Sequence, residues 1–339
     1  MSLKNKIPFS ILELAGVVEG ATPADTFRNS LDLAQKAESF GYNRFWLAEH
    51  HNMKSIASSA TSVLIGHIAG GTNRIRVGSG GIMLPNHSPL IVAEQFGTLG
   101  SLYPGRIDLG LGRAPGTDQV TAHAIRSDRM QAVHKFPEEI ARIQQFFSKD
   151  NSSAQVRATV AEGVEMPVYI LGSSTDSAYL AAKKGLPYSF ASHFAPTHLF
   201  EALEIYYNNF EPSTYLEKPY TIACINVIAA DTDEEAEILS TSLIRMIFGV
   251  MTGNIDYIQK PTLMTPQLKE LSENPAFERM LKYAFVGSKE TVRNKTIDFL
   301  EKTGANELMV ASHIYDHEDR VKSYRIFSEI MRELKRETA

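Results

Sequence analysis

Residues 75–113, IRVGSGGIMLPNHSPLIVAEQFGTLGSLYPGRIDLGLGR, carry the reading that decides the fold. IRVGSGGIML and RIDLGLGR have the short apolar or branched runs of strands. SPLIVAEQFGTLGSLYPG between them is long enough for a helix. A strand, a helix and a second strand in succession are the signature of a βαβ unit and a parallel sheet.

The same rhythm continues in both directions. FSILELAG (9–16) reads as a strand and TPADTFRNSLDLAQKAESFG (22–41) as its helix, with Thr22 as N-cap, Pro23 at the first helical position and Gly41 as the stop. YNRFWLAEH (42–50) and SSATSVLIGHIAGGT (58–72) repeat the pair. Beyond the opening unit, 127–147 reads as one long helix with Pro137 near a kink or restart. PVYILGSS (167–174), DSAYLAAKKG (176–185), LPYSFASHF (186–194), a helix over 196–210, YTIACINVIAA (220–230) and a helix beginning near 232 follow. Residues 251–283 break the rhythm with prolines and polar clusters, which predicts an insertion or lid. SKETVRNKTIDFLEKTG (288–304), NELMVAS (306–312) and a closing helix over 317–334 restore it. Eight strand–helix pairs favour a closed α/β fold, a (β/α)8 TIM barrel, over an open sheet. The expectation is a single domain over 1–339 with insertion segments at the C-terminal face.

The 339 residues, 43% hydrophobic and 22% charged, suffice for a large core. A net charge of -5 offers no diffuse positive field for nucleic acid or an anionic bilayer. Cys224, the single cysteine, has no partner for an internal disulfide, so a reducing, cytoplasmic compartment is the default. Pro8 and Glu13 interrupt the N-terminal apolar stretch, so no export signal is expected. No apolar run reaches the roughly 18 residues of a transmembrane helix.

Barrels collect their chemistry at the carboxyl ends of strands. Glu49, His50 and His51 stand at the end of strand 42–50, where His50 can act as acid, base or hydrogen-bond donor near neutral pH. Adjacent strand residues point to opposite faces, so one metal ion would not receive both histidines; HExxH is absent and no metal is expected. Gly78, Gly80 and Gly81 mark either a close approach, as by a flat ring, or a bulge at the rim. Arg113, beside Gly110, Gly112 and Gly116, suits either a phosphate or a structural ion pair. The glycine spacing fits neither GxGxxG nor a P-loop. Ser173, Ser174 and Ser177 lead into a helix, as an anion site or as a plain cap. Arg126 and Arg129 would either complete a phosphate site or lie on a solvated face.

FWLAEHH, the opening stretch continued through GRAPGTD, PVYILGSSTDSAYLAAKKGLPYSFASHF and TGANELMVAS together resemble the bacterial luciferase-like flavin monooxygenases, in order, from about residue 7 to 330. The likeness is closest to the alkanal-monooxygenase-like branch. It implies a TIM barrel with FMN at the C-terminal mouth, reduced FMN coming from a separate flavin reductase. O2 would then oxygenate an aldehyde or similar small apolar substrate through a C4a-peroxyflavin shielded from water. Residue by residue, it implies His50 as the catalytic histidine with Glu49 beside it at the base of the flavin pocket. Gly80 and Gly81 would stand around a non-proline cis peptide beneath the ring, and Arg113, Ser173, Ser174 and Ser177 at the flavin phosphate, with Arg129 a weaker match. It further implies a homodimer, for which SSATSVLIGHIAGG supplies a small-residue face. Gly112 stands where true luciferases have a cysteine and Ser173 where they have an acidic residue. Those departures bear on light emission, not on flavin binding. Two alternatives share the barrel: a deazaflavin (F420)-dependent hydride-transfer oxidoreductase, and a catalytically degenerate flavin-binding partner subunit.

Overall fold

The computed structural model describes residues 7–337. The first six residues, part of the stretch read for an export signal, lie outside the described residues. The described residues form ten strands: β1 Phe9–Glu13, β2 Arg44–Leu47, β3 Arg76–Ser79, β4 Ile82–Met83, β5 Ile107–Gly112, β6 Val168–Gly172, β7 Tyr188–Phe190, β8 Thr221–Ala230, β9 Ala284–Ser288 and β10 Glu307–Ala311. All pairings between them are parallel. β3 and β4 form one stave, since both pair with β5 on either side of Gly80 and Gly81. The ring β1, β2, β3/β4, β5, β6, β7, β8, β10 closes because β10 pairs with both β8 and β1. It is the expected eight-stave barrel.

Period-two alternation sorts the side chains. Leu12, Trp46, Ala48, Tyr169, Ile222, Cys224, Met309 and Ala311 fill the interior. Their neighbours Ile11, Phe45, Leu47, Ala223, Ile225, Leu308 and Val310 face the helices as part of the main core. The amino end of the barrel is closed by charge. Arg44 donates to Asp108 at 2.7 Å and to both oxygens of Glu307 at 3.1 Å, and Arg76 Nε donates to Asp108 at 2.9 Å. Trp46 Nε1, Ser10, Tyr220 and Asn43 Nδ2 also donate to those two wholly buried carboxylates.

Four local features differ from the sequence reading. The helix expected over 127–147 is two, Arg129–His134 and Phe136–Phe147, because Pro137 suits a first turn and not an interior. A short helix, Gln119–Ile125, precedes them, capped by the Asp118 side chain on the Thr121 N–H. Residues 284–288 form β9, which pairs with the upper half of the ten-residue β8 outside the ring. The 251–283 segment contains two short helices, Pro266–Ser272 and Pro275–Leu281. Ile258 ties it to the loop after β1, exchanging backbone hydrogen bonds with Val17 and Glu19 at 3.0 and 2.9 Å. No described helix is long and apolar enough to cross a membrane.

Removing one partner from a buried ionic network leaves uncompensated charge. Asp108→Ala, which leaves Arg76 without its carboxylate and Arg44 with Glu307 alone, should lower the unfolding free energy by about 3–5 kcal/mol in urea. A loss below about 1 kcal/mol would show that the network is dispensable.

Candidate functional site at the carboxyl mouth

The alternation that buries Trp46 and Ala48 in the barrel carries His50 to its rim and turns Glu49 the other way. His50 Nδ1 stands 3.2 Å from the Gly116 carbonyl. A carbonyl only accepts, so Nδ1 carries the proton and Nε2 is the bare nitrogen of the neutral ring. Burial pushes the His50 pKa down, against the Gly116 carbonyl and the Glu49 charge, which pull it up. Gly116, at φ 67°, also accepts the His51 N–H, and a Cβ there would stand 2.6 Å from the Glu49 carbonyl oxygen. Glycine is required at that position.

Glu49 is wholly buried and receives four groups: His51 Nε2 at 2.9 Å, His87 Nε2 at 2.9 Å, the Met83 N–H at 2.9 Å and Asn86 Nδ2 at 3.2 Å. Burial alone would raise its pKa, but the donors from His51, His87 and Met83 outweigh it and hold the carboxyl down at about 2. Glu49 is thus an anionic anchor that draws the turn after β4 onto the end of β2. His87 and Asn86 belong to this cluster, and sequence reasoning passed them over. Their one signal was the polar pair between two prolines in LPNHSP.

The Gly80–Gly81 peptide is cis. What comes close to these two glycines is the chain itself: a Cβ on Gly80 would meet Leu12 at 2.6 Å, and one on Gly81 the Gly110 carbonyl at 2.7 Å. Arg113 lies on the loop after β5 with its side chain 44% exposed, and its ion pair to Asp176 spans 3.5 Å. That contact places the guanidinium beside the start of the helix Thr175–Lys183, with Ser173 and Ser174 just before it. Ser174 caps this helix by accepting the Ser177 N–H, so the capping expectation holds for Ser174. Ser177 is turned inward, its hydroxyl donating to the Ser174 carbonyl at 2.7 Å and meeting the Tyr188 hydroxyl at 3.0 Å. Arg129 is buried, donating to Asn86 and to the Arg113 carbonyl at 3.0 Å each, while Arg126 donates to the His87 carbonyl at 2.8 Å. Neither lies on a solvated face; both brace the loops that carry Arg113 and His87.

Across the mouth stand His193, after β7, Asn226 on β8 and His313, after β10. Burial, then the neighbouring His313 and His50, hold His193 at a pKa of about 3; burial and Arg320 hold His313 at about 4. Both are neutral at pH 7. The small-residue face of the helix Thr61–Gly70 is used within the chain: a Cβ on Gly66 would lie 3.3 Å from Leu99 of the adjacent helix.

Because the Glu49 carboxyl titrates near 2 when folded and at its ordinary 4.5 when unfolded, its stabilisation is complete above 4.5 and is lost as pH falls toward 2. The gap in unfolding free energy between the natural protein and Glu49→Gln should be about 3 kcal/mol at neutral pH and close across that window. A gap independent of pH would remove the anchor role.

The family model described as luciferase-like monooxygenase matches residues 7–307. A luciferase-like monooxygenase of Escherichia coli (strain K12) is 48% identical over 328 residues, covering 97% of this chain and 98% of that protein. The N-acetyl-S-alkylcysteine monooxygenase of Bacillus subtilis (strain 168) is 33% identical and covers 97% of this chain and 100% of its own length. The crystal structure of apo-MsnO8 superposes with a TM-score of 0.89 at 35% identity, over 96% of this chain and 98% of that one. Two more distant structures share the fold, each covering 96% of this chain. One is the oxygenating constituent of 3,6-diketocamphane monooxygenase from Pseudomonas putida in complex with FMN (TM-score 0.74, 18% identity, 97% of that chain). The other is an F420-dependent secondary alcohol dehydrogenase (TM-score 0.70, 16% identity, 98% of that chain). With its closed barrel and the polar groups gathered at its rim, the chain belongs to the luciferase-like monooxygenase family.

Proposed function

We propose that this protein is an FMN-dependent monooxygenase that takes reduced FMN from a separate reductase and uses O2 to oxygenate an aldehyde or similar small apolar molecule. The carrying observation is the pairing, on one rim, of a part-buried neutral histidine, His50, with a half-exposed guanidinium, Arg113, beside a helix start. That pairing fits a ligand with an anionic tail and a reactive end. The relatives more than 30% identical that bear a functional name are called monooxygenases, which supports oxygen chemistry over hydride transfer. The F420-dependent dehydrogenase, at 16% identity, is the basis of the second reading.

In this reading Arg113, with Ser173, Ser174 and the first N–H groups of the helix Thr175–Lys183, holds the flavin phosphate. Ser177 and Arg129 act behind them, the first by fixing Ser174 and the second by bracing the Arg113 loop. Gly80 and Gly81 offer the ring a surface without side chains. Bound reduced FMN would supply the electrons that activate O2. His50, through Nε2, takes and returns the proton that the oxygen transfer moves, and Glu49 keeps the adjoining loops in register. The 251–283 segment, laid from β8 to the loop after β1, serves as the cover that excludes water. Exposed Val63, Ile91 and Leu102, on neighbouring helices, support a homodimer.

Titration with FMN, reduced FMN and F420 tests the cofactor, and binding of F420 alone would replace this reading with hydride transfer. Arg113→Ala should weaken FMN about tenfold or more and riboflavin little, because only FMN carries the phosphate. Equal loss for both would place the anion site elsewhere. His50→Ala should keep the fold and FMN affinity while lowering oxygenation about 10²-fold or more, measured as O2 incorporated per reduced flavin. Undiminished oxygenation would take His50 out of the mechanism.

A further inference from the structure

Asn226 continues the interior face of β8 that carries Ile222 and Cys224, and it is 3% exposed. Its Nδ2 donates to the His193 carbonyl at 2.8 Å. That bond fixes the orientation of the amide, because a carbonyl demands a donor and the nitrogen must therefore face it. Oδ1 is left as a buried acceptor with no partner among the described residues. His193 Nδ1 is likewise buried and without one. Two unpaired polar atoms thus belong to residues joined by a hydrogen bond, at the mouth, opposite His50. Folded proteins seldom leave such atoms unpaired, since a buried polar atom without a partner has lost its hydration and gained nothing in its place.

The chemistry of the pair specifies what would satisfy it. Asn226 Oδ1 only accepts, so its partner must carry an N–H or O–H. His193, neutral, offers at Nδ1 either an N–H or a lone pair. Below Asn226 the wall is apolar, with Ala311 beside it on β10 and Cys224 beneath. An alkyl body with one neutral group that gives a hydrogen bond and takes another fits this arrangement. A charged group does not, because His193 and His313 are themselves uncharged and no buried charge pairs with Asn226.

We infer that Asn226 and His193 form a polar clamp that selects substrates bearing a neutral hydrogen-bond donor next to a carbonyl, as in a secondary amide. This rests on the reading of the mouth as the reaction site and adds to it a substrate feature that a simple aldehyde lacks. Asn226 Oδ1 takes the amide N–H, and His193 Nδ1–H reaches the amide carbonyl. Both are specificity-determining residues, and neither takes part in oxygen transfer.

A matched pair of probes isolates the clamp: N-butylacetamide, and methyl pentyl ketone, in which a methylene replaces the N–H. Calorimetric titration of each into the full chain, with and without FMN, should show the amide bound about tenfold more tightly. Asn226→Leu should abolish that ratio by weakening the amide alone. His193→Asn, which keeps a hydrogen-bonding group near the Nδ1 position, should retain most of it. Equal affinities in the natural protein, no measurable binding of the amide, or an undiminished ratio in Asn226→Leu would each overturn the inference and leave water as the partner of Oδ1. If Asn226→Leu fails to melt cooperatively, His193→Phe replaces it: loss of the ratio supports the clamp and retention overturns it. FMN affinity measured on the same samples separates the two readings. An amide preference without FMN uptake would remove the flavin assignment and keep the clamp, and FMN uptake without the preference would do the reverse.

Discussion

Two carboxylates, Asp108 and Glu307, are buried at the amino end of the barrel, and one guanidinium, Arg44, set between them pairs with both, while Arg76 adds a second pair to Asp108. A lone buried anion is prohibitively costly, so the strands that carry these groups have little freedom to slide past one another. β2, β5 and β10 are joined directly through Arg44, β3 through Arg76, and β1 through Ser10. Fixing the register at one end fixes which residues emerge at the other, because a slip of one residue reverses every side chain.

β2 shows the consequence in a single strand. Arg44 plugs the floor, Trp46 packs edge-on against Tyr169 at 4.9 Å, Ala48 lines the wall and His50 reaches the rim. The intervening residue, Glu49, faces outward and anchors the turn that carries His87 and Asn86. One extended run therefore supplies both the rim histidine and the residue that steadies its surroundings.

The barrel and its open end were legible because alternation and helix spacing are local properties of the chain. Arg113, His50 and the Ser173–Ser174 turn were legible because rim positions follow from strand ends. The inward turn of Ser177 was not, since Ser177 sits in a helix and its partner Tyr188 on β7, so the contact exists only once that helix packs on the sheet. His87 was hidden for the same reason: the carboxylate it serves is 38 residues away. β9 escaped because AFVGS follows a polar excursion, and its pairing with β8 comes from tertiary position more than from any pattern of its own. The free acceptor on Asn226 could be seen only after its other half had found the His193 carbonyl.

The excursion between the helix Asp233–Thr252 and β9 looks expensive as a length of chain, since a free loop pays configurational entropy that grows with the logarithm of its span. It is not free. Ile258 fastens it to the first loop, Gln259 and Thr262 accept hydrogen bonds from Ser242 and Thr241 of the preceding helix, and Phe277 is sunk in a second apolar cluster with Ile244 and Ile247. These attachments divide one long loop into several short ones, each with little configurational freedom left to lose. Residues between the fastenings can therefore change in length or composition while the barrel beneath keeps its register.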